Sequence, residues 1–402
     1  MEHFDVIIIG GGAAGLFARA NLASENALLL ESGNECGRKL LITAGGMCNL
    51  TNSLEPGEFL THYGSKSQRN FLLVAIQNFP PMQLRSWFAK RNLPTVVRSD
   101  GKVFPASLDA RDVRSCLIAS STIPIRYHHR VTSIEADAGD FIITTERGCL
   151  HCHSLIVATG GMSYPRTGSD GSLYPLLRRL GHTIVKPKPA LVGLVIRNWH
   201  YSSLSGSSMT DVKVTATHMG ASKPYYSGRG SVLFTHRGLS GPPILTLSGE
   251  SESGDTITIR FCDDAAQKIA RLFDQSPAMQ VTTALRDLGL TKALALTLAQ
   301  QAAIEGGERY REVDAARRKR LFSLLDAHPF VVESTMGFAS AMATRGGVAL
   351  DEVNRKTMES KVLPGLFFCG EVLDYDGESG GFNLQGAFST ALLAAQHTRS
   401  AI

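Results

Sequence analysis

Residues 4–31 read F-D-V-I-I-I-G-G-G-A-A-G-L-F-A-R-A-N-L-A-S-E-N-A-L-L-L-E, and this stretch decides the fold. Residues 4–9 form a short β-branched run of the kind that fills a buried parallel strand. Gly10, Gly12 and Gly15 then satisfy G-x-G-x-x-G, with Gly11, Ala13 and Ala14 in the spaces between. A helical stretch over residues 16–24 follows, and a second apolar strand, Ala27–Leu30, ends at Glu31. Each part has a physical task. Gly10 makes a tight turn, Gly12 lets a pyrophosphate reach the backbone, and Gly15 lets the helix pack close to the sheet. The helix N-terminus offers free N–H groups and the positive end of its dipole to phosphates. Glu31, about 20 residues after the first glycine, is placed to accept hydrogen bonds from ribose hydroxyls and disfavours a 2′-phosphate, so the site suits FAD or NAD rather than NADP. A lone glycine fingerprint is weak evidence. Strand, glycines, helix, strand and acid in order within about 30 residues are specific.

Three further clusters separate FAD from NAD. Residues 37–52 read G-R-K-L-L-I-T-A-G-G-M-C-N-L-T-N, where the chain should return across the cofactor. Residues 155–165 read L-I-V-A-T-G-G-M-S-Y-P, a strand ending in a glycine turn. Residues 364–384 read P-G-L-F-F-C-G-E-V-L-D-Y-D-G-E-S-G-G-F-N-L, in which a strand over 366–369 ends at Gly370-Glu371 and a helix starts near Asn383–Leu384. A helix N-terminus aimed at the isoalloxazine N1/O2 edge stabilises an anionic reduced ring. Gly380 and Gly381 would let the backbone come close, and either Glu371 or Asp374 is an acid for ribityl hydroxyls. No second G-x-G-x-x-G follows a strand, so no dedicated NAD(P)H domain is expected. A nicotinamide donor, if one serves, docks transiently over the flavin.

Together these blocks resemble one family: the bacterial NAD(P)/FAD-dependent oxidoreductases that include bile-acid Δ4-reductase-like and aminoacetone-oxidase-like flavoproteins and a ribosomal-RNA dihydrouridine synthase. The resemblance rests on the fingerprint, residues 37–52, A-T-G-G-x-S-Y-P-x-T-G-S from 158, L-F-T-H-R-G-L-S-G-P from 233 and G-E-V-L-D-x-D-G-x-x-G-G-F-N from 370. It implies an α/β fold: a Rossmann-type FAD-binding domain (1–189 and 346–402) with an inserted antiparallel β domain (190–262 and 331–345) and a helical insertion (263–330). It implies cofactor contacts from Gly10, Gly12, Ala13, Ala14, Gly15, Glu31, Arg38, Lys39, Gly45, Gly46, Cys48, Asn49, Val131, Ala158, Thr159, Gly160, Gly370, Glu371, Asp374, Gly380, Gly381, Phe382 and Asn383. Two departures stand out. Met47 sits where the family's S-G-G-G-R-C-N has arginine, and Gly386 where a bulky Trp is common; the aromatic after G-G is kept as Phe382.

Flavin carries the electron chemistry, so the protein must orient a substrate and handle a proton. Cys48 is either a general acid or a small residue packed under its loop. His236 lies with Arg237 in a tight turn and is either a substrate-binding acid or a structural turn residue. Tyr164 is either a proton donor or a wall of the site.

The remaining features bound the class. The net charge of +5 permits an anionic partner without demanding one. Arg317-Arg318-Lys319-Arg320 spread around a helix, as on a solvated face, and are where phosphate contacts would fall if RNA is the substrate. Seven cysteines without a disulfide framework, no apolar stretch of about 18 residues and no leader suit a cytoplasmic enzyme. Residues 149–153 read C-L-H-C-H, but no second cysteine pair follows at zinc spacing, so an incidental β-hairpin is expected and no metal. The expected reaction is reduction of an activated C=C bond, in a uracil of ribosomal RNA or a small enone. The competing readings are a flavin-dependent amine or aminoketone oxidase and a non-enzymatic flavoprotein that binds RNA or a partner.

Overall fold

A computed structural model describes residues 2–137 and 139–398. The chain splits into two compact units, Met1–Ala190 with Phe338–Ile402, and Leu191–Gly337.

In the first unit, β1 (Glu2–Ile9) pairs in parallel with β2 (Ala27–Leu30) on one side and with the long strand Gly148–Val157 on the other. The short strand Ile125–Arg126 extends the sheet beyond β2. Val6, Ile7 and Ile8 are wholly buried, as are Leu28 and Leu29. Each such side chain contributes about 1.5–3 kcal/mol of burial, which is why these continuous apolar runs become central strands. The long strand is shared along its length. Its first half pairs with the antiparallel strand Asp140–Thr145, and Leu155–Val157 pair with the late strand Leu366–Phe368. Five parallel strands thus end on one edge, at Gly10, Glu31, Tyr127, Ala158 and Cys369, where ligands of open α/β sheets bind.

The helix α1 (Ala13–Asn21) opens at Ala13 and not at Leu16, so the glycine loop feeds straight into its first turn. Close packing explains the fingerprint. A Cβ on Gly15 would lie 1.8 Å from the carbonyl oxygen of Gly10, and Gly10 itself has φ +106°, a left-handed conformation. The C-terminal helix Phe382–His397 packs beside α1 through Phe17 and Phe388, whose ring centroids are 4.9 Å apart.

The Cys149–His153 stretch differs from expectation in one respect. The turn is confined to Glu146 and Arg147, and Cys149 and Cys152 lie inside the strand, Cys149 exposed and Cys152 buried.

The second unit is a closed barrel of six antiparallel strands, in the order Leu194–Ile196, Gly238–Ser240, Tyr226–Phe234, Ser208–Thr217, Thr256–Arg260 and His328–Thr335. Four helices between Ala265 and Asp326 bury Ile269, Phe273, Leu285, Leu298, Leu321 and Leu325 in one core with the barrel. Among the described residues no helix is long and apolar enough to cross a membrane.

Candidate functional site

A cleft opens at the carboxyl edge of the parallel sheet, with about 1320 Å³ of space between its walls, open mouth included. All its lining residues belong to the first unit.

At one end the glycine loop and Glu31 form a cradle. The Glu31 carboxylate accepts from the Gly11 amide at 2.9 Å and from the Gly33 amide at 2.7 Å. These amides fix its orientation and leave lone pairs for hydroxyls in the cleft. Nothing lies within 4 Å of a Cβ built on Gly12, so that face of the loop is open. At the other end Lys39 pairs with Glu371 at 2.6 Å and donates a short hydrogen bond to Ser163. Glu371 also accepts from the Ser163 hydroxyl at 3.0 Å and the Thr344 amide at 2.6 Å. Asn383 and Leu384, in the first turn of the C-terminal helix, line the same cleft. Ser169 lines it too, and its buried Oγ has no hydrogen-bond partner among the described residues. A buried hydroxyl without a partner costs about 1–3 kcal/mol, which a bound polar ligand would remove.

Of the expected cofactor residues, the cleft collects Gly10, Gly12, Ala13, Ala14, Glu31, Arg38, Lys39, Val131, Ala158, Thr159, Gly160, Glu371 and Asn383. Gly15, Gly45, Gly46, Cys48, Asn49, Gly370, Asp374, Gly380, Gly381 and Phe382 do not line it. Several of these support it instead. With its amide nitrogen turned to the carbonyls, the Asn49 side chain donates to Thr51 and Val103 and accepts from the Gly381 amide at 3.1 Å. Asp374 accepts from the Gly346 amide at 2.9 Å and does not line the cleft, which leaves Glu371 as the one of those two acids that does.

The expected chemical residues are separated. Cys48 is wholly buried at φ +61°, and burial pushes its thiol up to about 12. That places it under its loop, in the packing role. Tyr164 is half-buried at φ +52° where the glycine turn meets Pro165. His236 and Arg237 are the exposed centre of a turn in the second unit, closed by the Thr235 amide donating to the Gly238 carbonyl at 2.8 Å. At Met47 the sulfur meets the guanidinium of Arg98 at 3.2 Å. Gly386 faces Tyr63 and Tyr375, which leave no room even for a Cβ, so a bulky residue is excluded there.

Sequence reasoning misses Ser163, Thr344 and Ser169. Ser163 and Ser169 sit in the glycine-turn block that begins at residue 158, and only their position in that block points to them. Thr344 carries no signal.

The description "HI0933-like protein Rossmann domain" is that of a family model matching residues 4–397. A ribosomal RNA dihydrouridine synthase of Escherichia coli strain K12 is 30% identical, with 98% of each chain covered. A 3-dehydro-bile acid delta(4,6)-reductase of Clostridium scindens is 29% identical over 97% of each. Among solved structures, a 3-ketosteroid-delta4-(5alpha)-dehydrogenase of Rhodococcus jostii RHA1 superposes with a TM-score of 0.52 at 13% identity, covering 98% of this chain and 97% of that one. That likeness is one of fold.

Proposed function

Since the chain belongs to the HI0933-like protein Rossmann domain family, we propose that it is a cytoplasmic FAD-dependent oxidoreductase that reduces an activated C=C bond, in a uracil of ribosomal RNA. The observation that carries this reading is the single cleft that joins a dinucleotide cradle to a helix N-terminus. Glu31 suits a ribose without 2′-phosphate, the open face of Gly12 suits a pyrophosphate, and the orphaned Ser169 hydroxyl awaits a polar ligand. Bound FAD would supply hydride transfer. The residues do the rest. Glu371 and Lys39 line the cleft as an ion pair and would offer the cofactor both an acceptor and a donor. The first-turn amides at Asn383 and Leu384 add partial positive charge there. Tyr164, which does not line the cleft itself but follows Ser163 of the Lys39–Glu371 network, is the proton donor this reading favours, because Cys48 is sealed in the core. Removing a general acid costs about 10²–10⁴ in rate.

The relatives support the choice of bond. The names of both, dihydrouridine synthase and Δ4,6-reductase, describe reduction of a double bond conjugated to a carbonyl. The second of them gives the small enone its standing as the alternative acceptor. The test is anaerobic. The flavin of the purified protein is reduced, with NADH and NADPH compared as transient donors, and unmodified ribosomal RNA or an enone is added. Reoxidation with dihydrouridine formed in the RNA is the expected result. Reoxidation by the enone alone moves the substrate to the second reading. Turnover only with amines and oxygen would make it an oxidase.

A further inference from the structure

Far from the cleft, four titratable side chains gather on one face of the sheet. His3 stands beside His151 in the parallel ladder between β1 and Gly148–Val157. Ile142 stands opposite His151 across the antiparallel ladder. Because side chains alternate with period two, His153 and Asp140 fall on that same face. Their side chains converge. His153 Nδ1 lies 2.6 Å from one oxygen of Asp140, and His151 Nε2 lies 3.5 Å from the other. The ring of His3 is centred 4.4 Å from that of His153 and 4.7 Å from that of His151. One donor atom each from His3, Asp140 and His153 lie within 4.8 Å of one another. Six strand residues, about 20 Å, separate His3 from the glycine turn.

We propose that this cluster binds one divalent transition-metal ion of the zinc class. His3, His153 and Asp140 are the ligands, solvent completes the shell, and His151 holds the other oxygen of Asp140. Two imidazoles and a carboxylate are a donor set for zinc, nickel or copper, and a poor one for magnesium or calcium, which take oxygen. A hydrogen-bonded His–Asp pair on a solvated sheet would account for His153 and Asp140 alone. It does not account for His151 within ion-pair reach of the same carboxylate and for His3 packed against both imidazoles. The C-L-H-C-H stretch thereby acquires a role through its histidines, since Cys152 points to the core side of the strand. The ion would tie β1 to the hairpin at the end of the sheet away from the chemistry.

The test uses untagged, EDTA-treated protein with its flavin in place, titrated with zinc chloride by calorimetry. One zinc per chain is expected. Asp140→Asn, which keeps the side chain's size, and His3→Ala, at an exposed position, should each weaken binding at least tenfold while flavin content stays unchanged. Cys149→Ser and His397→Ala should bind as the parent does. Absence of saturable binding, or parental affinity in Asp140→Asn, overturns the proposal. Loss of binding in Cys149→Ser also overturns it, because the ion would then belong to the exposed thiol.

Discussion

Two glycines three residues apart make opposite predictions. Gly12 faces open space, so a valine there leaves the protein's own packing intact and collides only with a ligand. Gly12→Val should fold with an unchanged melting temperature and emerge colourless; a yellow, fully loaded variant would sink the cradle. Gly15 meets the Gly10 carbonyl, so Gly15→Ala should destabilise by about 1–3 kcal/mol or more, the cost of overpacking, with flavin loss only as a consequence. Asp374 carries a pH signature. Burial raises its carboxyl to about 6, the Gly346 amide works against that, and Asp376 adds to it. A folded value above the unfolded 3.8 means that its contribution to stability is fully present below that value and is lost as pH rises through about 6. Asp374→Asn keeps an acceptor for Gly346 and should melt above the parent at pH 8 and level with it at pH 4. An equal difference at both pH values would show that the carboxyl's titration plays no part.

At the level of elements, the C-terminal helix is the part whose placement matters most. Its start is fixed by distant groups. Gly381 caps it at φ +98° with only 2.4 Å between a built Cβ and the Thr51 carbonyl, and Tyr63 donates to the Phe382 carbonyl at 2.7 Å. Asn49 bridges Gly381 to the strands at Thr51 and Val103. Asn49→Ala would strand those backbone groups and should cost about 1–3 kcal/mol, with weaker flavin retention than the parent in dialysis. Unchanged retention would show that the helix holds its position without the bridge. The same elements show what a sequence reveals. The unit from β1 to Glu31 is legible because its strand, turn, helix and strand are consecutive and each carries its own pattern. The Lys39–Ser163–Glu371 network is not, because its members lie 124 and 332 residues apart and only the folded chain brings them together. Cys48 reads as either reactive or packed, because a glycine-rich loop fits both. Its burial depends on neighbours that the loop's own residues do not specify.

For the molecule as a whole, four of the six barrel strands are individually legible, but the other two and the closure into a barrel are not. Gly238–Ser240 has three residues and no alternation, and His328–Thr335 arrives after four helices to pair with Thr256–Arg260. The basic run on the last of those helices shows how structure redistributes a charge pattern. Arg317 is spent on Glu308 and Asp314, and Arg318 lies 4.1 Å over the Tyr310 ring and donates to its carbonyl. Lys319 and Arg320 remain exposed. If ribosomal RNA is the substrate, these two are the residues free to meet phosphate, while the first two hold the helical segment together. The double variant Lys319→Ala/Arg320→Ala should therefore keep its flavin and melting temperature yet bind an RNA fragment more weakly. The slope of log affinity against log salt should fall by about 0.7 for each single-stranded phosphate that the variant no longer neutralises. Arg317→Ala should do the reverse, lowering the melting temperature with little change in that slope. Equal salt slopes for the parent and the double variant would move RNA binding off this helix, and would leave the enone as the acceptor to pursue if the parent's own slope is flat.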